Sequence, residues 1–214
     1  MEKCAYTIGY AHHTQESFLA LIKKYHINCV IDVRTMAYSN FHPQFNKEPI
    51  KHFLNTENIL YRQMQEAFGI IRPSSPLLNQ AGYLDFVKMA ELPSFQEGIE
   101  TIIRGIEAGY QIAFMCAEKA PSDCHRSTLV GRALAFRGYK MYHILHDGHL
   151  QTQSDLEEEL LEKYFPNHPQ LNLFNRPHKT ELINAAYELQ SNQIVEVNSK
   201  RVLKESYDSP KKKI

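Results

Sequence analysis

The stretch IAFM-CAEKAPSDCHR-STLVGRALAF, residues 112–136, joins two apolar runs through a polar turn. Its first four residues predict a buried strand, because they are short, apolar and uninterrupted. Residues 127–136 predict a helix that ends near Gly138. A strand, a turn and a helix in this order form the repeating unit of α/β folds, in which a parallel sheet carries helices on its faces. The polar turn is therefore expected at the carboxyl edge of such a sheet.

Other segments continue this alternation of strands and helices. One helix is expected after an N-cap at Thr14, and another after a capping box of Ser94 and Glu97, with Gly109 at its end. The sequence thus predicts a Rossmann-like α/β core of three layers with a mostly parallel sheet. The predicted strands are residues 5–9, 28–34, 111–116 and 140–145, with a shorter one at 59–62.

The character of the sequence changes after Gly148. A Ser154–Glu157 capping box begins an acidic helix over residues 154–164, and a second helix is expected over residues 180–189. From Lys200 to Lys213 the chain has six basic and two acidic residues, which is typical of a disordered basic tail. We therefore divide the chain into an α/β core (1–150), a helical C-terminal extension (151–192) and a basic tail (193–214).

Composition limits the class of protein. The 214 residues are 43% hydrophobic and 22% charged, and Lys+Arg and Asp+Glu both number 24, so net charge favours no particular partner. No run approaches the roughly 18 apolar residues of a membrane span, and the first ten residues lack a signal-peptide core. We expect a cytoplasmic protein with no membrane partner, whose four cysteines stay reduced.

Polar, titratable residues follow the ends of all four main predicted strands, although the strands themselves are apolar. In a parallel sheet the carboxyl ends of the strands lie at one edge, where α/β proteins bind their ligands. We therefore expect these residues to surround one site. The candidates are Gly9 and Tyr10 after the first strand, Asp32 and Arg34 after the second, Cys116 and Glu118 after the third, and His143 and Asp147 after the fourth.

Asp32 and Arg34 lie two residues apart on a strand, so their side chains share one face of the sheet. In one interpretation Arg34 binds an anionic group of a substrate and Asp32 orients it. In the other, the two form a structural salt bridge that closes the strand.

The two cysteines of the polar turn are candidate nucleophiles. Cys116 ends the strand, whereas Cys124 lies closest to the predicted start of the helix. The positive charges of His125 and Arg126 and the helix dipole would favour a thiolate, and Glu118 could act as general acid or base. The alternative is that one cysteine only packs as a small apolar residue while Glu118 pairs with Arg126.

The same turn contains metal-ligand types, with His143 or His146 as further ligands. Seven residues separate Cys116 from Cys124, unlike the two to four of common structural zinc sites, and adjacent Cys124 and His125 cannot easily bind one ion. We therefore predict no cofactor and keep zinc or iron as the less favoured alternative.

Four blocks of this sequence resemble the domain of unknown function 488 family. The resemblance covers residues 6–148, or about 165 with the following helix. It implies a compact α/β domain of bacterial or archaeal origin, with no established activity. The blocks are Thr7-Ile8-Gly9, Asp32-Val33-Arg34, the segment from Cys116-Ala117-Glu118 to Cys124-His125-Arg126, and that from His143-Ile144 to Asp147-Gly148.

This chain departs from the family pattern after its first glycine. Relatives usually have a His-Ser pair there, and this chain has Tyr10-Ala11. If that histidine acts in relatives, the resemblance implies that His12, His13 or the Tyr10 hydroxyl takes its place here.

The segment Gln170-Leu171-Asn172-Leu173-Phe174 resembles the pentapeptide by which bacterial replication and repair proteins bind the DNA sliding clamp. Leu173 and Phe174 would enter an apolar pocket of the clamp, with Leu171 beside them and Gln170 hydrogen-bonded to its backbone. The alternative is that the three apolar side chains pack back on their own domain.

These observations lead to two hypotheses. The first is a thiol-dependent enzyme that acts on an anionic substrate, related to nucleotides or nucleic acid, at the carboxyl edge of the sheet; Arg34 and Arg126 would bind the anion. The second is a non-catalytic module that binds nucleic acid or the sliding clamp, as in DNA repair, and whose Cys/His segment is structural or metal-binding.

Overall fold

The computed structural model describes residues 3–70, 75–166 and 179–208. Its centre is a six-stranded sheet with the order β3-β2-β4-β1-β5-β6, in which every neighbouring pair is parallel except β5 and β6. This confirms the predicted α/β class with a mostly parallel sheet. The strands are β1 (Cys4–Gly9), β2 (Cys29–Asp32), β3 (Leu60–Gln63), β4 (Ile112–Cys116), β5 (Lys140–Ile144) and β6 (Leu150–Thr152).

Helices cover both faces of the sheet. A π-helical segment, Arg126–Gly131, leads directly into the sixth helix. The helices are α1 (Gln15–Lys24), α2 (Lys47–Thr56), α3 (Gln65–Phe68), α4 (Phe86–Ala90), α5 (Pro93–Glu107), α6 (Arg132–Phe136), α7 (Gln153–Tyr164) and α8 (Lys179–Asp208).

Two hydrophobic clusters, one on each face, form the core. On the α5 face, covered by α5, α6 and part of α8, Phe114 of β4 packs with Ile99 of α5. On the α1 face, covered by α1 and α2, Met115 packs with Phe18 of α1. Adjacent residues of β4 thus belong to opposite clusters, because side chains alternate along a strand. This alternation decides which side chains at the sheet edge can meet.

Most predicted elements are present, but their ends differ in detail. Thr14 caps α1 as predicted, in a capping box with Ser17. The capping box predicted at Ser94 is wrong, since the N-cap of α5 is Leu92, two residues earlier, and the helix begins at Pro93, whose ring fixes a helical φ. Similarly, α7 begins at Gln153 rather than 154, and its capping box joins Thr152 to Asp155.

The prediction of a disordered tail from residue 193 is wrong as far as Asp208, because α8 continues to that residue. The reason is burial: Ile194 and Val195 are 3% and 7% exposed and belong to the cluster on the α5 face. The prediction relied on the charges of residues 200–213 and took no account of Ile194 and Val195, which lie earlier in the segment and contact the core. Among the described residues, none of the helices is long and apolar enough to span a bilayer.

The contact of α8 with the core gives a stability prediction. Replacing Ile194 with alanine leaves a cavity and should lower the free energy of unfolding by about 3 kcal/mol. The matched variant Val197→Ala removes a side chain that is 57% exposed and should change it by less than about 0.5 kcal/mol. Urea unfolding of both variants tests this. Equal, small effects would show that α8 does not stabilise the core.

Candidate functional site

Two thiols and one carboxyl group meet where β4 ends. Cys116 Sγ and Cys124 Sγ each lie 3.0 Å from the same oxygen, Glu118 Oε2. Both sulfurs are almost completely buried, at 3% and 1% exposure, and neither is in a disulfide. The turn of residues 117–123 folds back so that Cys124, at the start of the next helical segment, faces the last residue of the strand. The sequence prediction that these three residues form one site is consistent with this geometry.

His125 joins the same group of side chains. Its Nδ1 lies 3.8 Å from Cys124 Sγ, and its Nε2 lies 2.9 Å from the carbonyl oxygen of Val33. A carbonyl can only accept a hydrogen bond, so Nε2 carries a proton and Nδ1 faces the sulfur. The ring is therefore held in one orientation by the chain that follows β2.

Arg126 is fully buried below the turn. Its NH1 and NH2 groups donate to the carbonyl oxygens of Glu118 and Lys119, at 2.9 and 3.3 Å. Its Nε is buried and has no hydrogen-bond partner among the described residues. The guanidinium thus fixes the path of the turn and brings a positive charge close to the thiols. We call Cys116, Glu118, Cys124, His125 and Arg126 the cysteine cluster.

The two thiols of the cysteine cluster have pKa values shifted in opposite directions. Burial raises the pKa of Cys116, and the neighbouring Cys124 raises it further. Burial opposes ionisation of Cys124 as well, but a hydrogen bond from Cys116 and the charges of Arg126 and His125 hold its pKa well below the usual range. Burial and Cys124 raise the pKa of Glu118. Although burial lowers it, the pKa of His125 is raised overall, chiefly by Cys124. Cys124 is the thiol that ionises first.

A second polar group lies next to the cysteine cluster on the α5 face. Thr7 Oγ1 is 2.9 Å from His143 Nδ1 and 3.4 Å from Ser127 Oγ, and all three residues are buried. Burial, followed by the charge of Arg126, lowers the pKa of His143 to about 3, so its ring is neutral. Sequence reasoning found His143 but missed Thr7 and Ser127, because a single hydroxyl in an apolar strand gives no signal until the strand register is known.

Asp32 and Arg34 form a separate cluster. Arg34 donates to both carboxylate oxygens of Asp32 (2.8 and 2.6 Å), to the Phe45 carbonyl (2.9 Å) and to the Tyr10 hydroxyl (3.2 Å). The Tyr61 hydroxyl donates to Asp32 at 2.6 Å. This geometry agrees with the structural interpretation of the pair. Tyr61 was missed by sequence analysis, since only the parallel pairing of β2 with β3 brings it to Asp32.

The expected single site is thus divided between the two faces of the sheet. In the parallel register Asp32 pairs with Met115, whose side chain packs on the α1 face, as does Tyr10. Gly9 instead pairs with Cys116, on the α5 face. Asp32, Arg34 and Tyr10 therefore lie across the sheet from the thiols, and Gly9 and His143 lie on the same face as them.

Two further predictions concern Asp147 and the clamp-like segment. Asp147 is half exposed and pairs with His149, and that contact lowers the pKa of its carboxyl. The clamp-like segment Gln170–Phe174 lies outside the residues that the structure describes.

Three residues of the cysteine cluster could hold a metal ion. Ligand atoms of Cys116, Cys124 and His125 all lie within 4.8 Å of one another, and Glu118 contacts both sulfurs. Adjacent Cys124 and His125 were not expected to bind one ion easily, yet their ligand atoms lie close enough that they could do so. The contact of Nε2 with the Val33 carbonyl is also the kind that orients histidine ligands.

Helix α8 supports the turn from outside. Gln190, which is fully buried, donates from Nε2 to the Ser122 carbonyl at 2.8 Å. Its Oε1 accepts hydrogen bonds from Lys163 and Tyr164 of α7. The C-terminal extension is therefore part of the framework that positions Cys124.

The close approach of β1 to the turn can be tested by substitution of Gly9. A Cβ at Gly9 would lie 1.9 Å from the Glu118 carbonyl oxygen, so Gly9→Ala must displace the turn. We expect a loss of about 3 kcal/mol in the free energy of unfolding, measured by urea denaturation. In Gly105→Ala the new methyl meets only the end of the Ile112 side chain and gains helix propensity, so this control should be neutral or stabilising. An equally mild effect at Gly9 would contradict the close packing.

The lowered pKa of His143 should make the stability of the protein depend on pH. Its pKa is about 3 in the folded protein and about 6.5 when unfolded. Between these values the unfolded chain binds a proton that the folded protein does not, so stability falls as pH falls below about 6.5. From pH 7 to pH 5, the wild type should lose about 2 kcal/mol more than His143→Asn, whose amide can still contact Thr7. If the free energy of unfolding, measured by urea denaturation, falls equally with pH in the wild type and the variant, a buried neutral histidine is excluded.

Comparison with known proteins places this arrangement in a family. The sequence model described as "Domain of unknown function DUF488" matches residues 14–133, which is more than half of the chain. The match contains the whole cysteine cluster and the Asp32–Arg34 pair, and it leaves out β1 and β5. No curated protein and no solved structure matches the chain significantly. The chain belongs to the DUF488 family of domains of unknown function.

Proposed function

We propose that this protein is a thiol-dependent enzyme with Cys124 as its nucleophile. The observation that carries the proposal is the environment of one sulfur: Cys124 Sγ lies 3.0 Å from Glu118 Oε2 and 3.8 Å from His125 Nδ1. A thiolate is the reactive form of cysteine, and adjacent cationic groups are the usual means of stabilising it. Arg126 adds a second positive charge to the same buried region.

Each neighbour of Cys124 has a role in the proposal. The protonated imidazole of His125 stabilises the thiolate and can return a proton to a leaving group. Glu118 accepts a hydrogen bond from Cys124 Sγ at 3.0 Å, and its raised pKa suits it to hold and transfer a proton. Arg126 holds the turn in place through two main-chain carbonyls.

We further propose that the substrate carries a negative charge, and that nucleotides or nucleic acid are its class. Arg126 and His125 supply positive charge inside, and exposed Lys119 lies on the turn. Cations at the carboxyl edge attract an anion before it reaches the sulfur. The Asp32–Arg34 pair, which is already neutralised, is given the role of supporting the edge.

Two alkylating reagents that differ mainly in charge test this proposal. Iodoacetamide is neutral and iodoacetate is an anion, and both transfer their carbon to a thiolate. In the native protein Cys124 should react first with both. Its iodoacetate-to-iodoacetamide rate ratio should exceed that of a small free thiol by about tenfold, equivalent to roughly 1.4 kcal/mol. Peptide mapping by mass spectrometry measures the rate at each cysteine.

The core cysteines provide matched controls. Burial raises the pKa of Cys29 to about 11, so this thiol should not react in the native protein. Cys4 lies at the opposite end of its strand from the cysteine cluster, away from His125 and Arg126, and should not react either. A Cys124→Ser variant should lose the fast phase, whereas Cys4→Ser should keep it. If Cys124 is no faster than Cys29, the nucleophile is wrong; if it is fast but its ratio matches a free thiol, the anionic substrate is wrong.

One observation favours a second candidate function. The ligand atoms of Cys116, Cys124 and His125 all lie within 4.8 Å of one another. In this alternative the segment holds zinc or iron and the protein is a non-catalytic module that binds nucleic acid, or the sliding clamp through Gln170–Phe174. Metal analysis of the purified protein separates the candidates. One metal ion per chain, lost in Cys116→Ser and kept in Cys4→Ser, would favour the module; metal-free protein with a fast Cys124 would favour the enzyme.

A further inference from the structure

The proposed nucleophile has a second thiol beside it, for which the proposed function gives no role. Cys116 Sγ and Cys124 Sγ contact the same atom, Glu118 Oε2, at 3.0 Å each, and the two sulfurs lie within 4.8 Å of each other. The shared hydrogen-bond acceptor places the two thiols side by side. This position is suited to bond formation between the sulfurs.

We propose that Cys116 and Cys124 form a redox-active dithiol, which a small hydroperoxide oxidises to an intramolecular disulfide. This inference rests on Cys124 being the nucleophile and extends it by naming Cys116 as the resolving thiol and hydroperoxides as the oxidant class. A small oxidant suits the site because the sulfurs are 3% and 1% exposed, so a small molecule reaches them with less displacement of the turn than a larger one.

The chemistry proceeds in two balanced steps. In the first, the Cys124 thiolate attacks one peroxide oxygen, the O–O bond breaks, and the departing oxygen takes a proton from Glu118 and leaves as water or alcohol. Cys124 is then a sulfenic acid. In the second, Cys116 loses its proton to the Glu118 carboxylate and attacks the Cys124 sulfur. The S–O bond breaks, hydroxide takes that proton and leaves as water, and one disulfide remains. Two thiols are oxidised by two electrons and one peroxide is reduced.

The surroundings of the pair favour the second step over further oxidation. Glu118 touches both sulfurs, so one carboxyl group can serve as acid in the first step and as base in the second. His125 is fixed by the Val33 carbonyl with its Nδ1 3.8 Å from Cys124 Sγ, so the ring stays beside the reacting sulfur. Cys4 and Cys29 lie at the other ends of their strands, so they are not alternative partners.

The test uses the full-length reduced protein and one equivalent of hydrogen peroxide. After a short reaction, free thiols are blocked under denaturing conditions and the protein is digested with trypsin. Lys119 lies between the two cysteines, so a disulfide appears as two tryptic peptides joined together. We expect Cys116 joined to Cys124, Cys4 and Cys29 blocked, and full reversal by dithiothreitol. The Cys4→Ser/Cys29→Ser double variant should give the same product.

Two variants separate the roles of the thiols. In Cys116→Ser the sulfenic acid cannot be resolved, so Cys124 should accumulate an adduct with dimedone. Glu118→Gln should slow disulfide formation by about a hundredfold, because it removes the shared proton acceptor. If a variant does not fold, the joined peptides of the wild type remain the deciding result.

The outcomes are distinct from those of the proposed function. If Cys124 alkylates rapidly but peroxide yields no joined peptide, or joins other cysteines, the dithiol is wrong and the nucleophile stands. If Cys124 neither alkylates nor oxidises, both proposals fail. A metal ion that must be removed before peroxide reacts would also overturn the dithiol, since the thiols would then be ligands.

Discussion

Alternation of side chains along each strand determines how the polar residues at the carboxyl edge are grouped. All strands that reach this edge end within a few residues of one another, but successive side chains point to opposite faces. Cys116 is paired in register with Gly9, whereas Asp32 is paired with Met115. Because Asp32 is level with the residue before Cys116, the Asp32 carboxylate and the Cys116 thiol lie on opposite faces of the sheet. The edge thus carries two chemically different clusters.

The cysteine cluster then depends on close contacts from three directions. From the sheet, Gly9 leaves room for the Glu118 carbonyl, which a Cβ would displace. From below, Arg126 binds the carbonyls of the turn. From outside, Gln190 of α8 binds the Ser122 carbonyl. Each contact is to the main chain of the turn rather than to a reactive side chain. The framework therefore sets where the thiols lie, and leaves Glu118 and His125 to set their charge.

These contacts explain why sequence analysis found part of the site and not the rest. The cysteine segment was found because its members lie within eleven residues, and the main strands because their apolar runs are continuous. The short antiparallel β6 was not predicted, since three residues give no period. Thr7 with His143, and Tyr61 with Asp32, depend on strand order and register. Placing Arg34 beside the thiols failed for the same reason: alternation predicts the face only after the pairing partner is known.

In the proposed reaction, the electrostatics of the cysteine cluster would make its groups act in sequence. Burial penalises each additional negative charge, and the neighbouring Cys124 raises the pKa of both Cys116 and Glu118 further. Part of what raises the pKa of Cys116 is its neighbour Cys124, through a hydrogen bond and through charge. When the Cys124 sulfur forms a covalent bond its charge is lost, and both of those influences on Cys116 disappear while Arg126 continues to favour its thiolate. In the proposed reaction, covalent reaction at Cys124 would thereby lower the pKa of Cys116 and activate the second thiol.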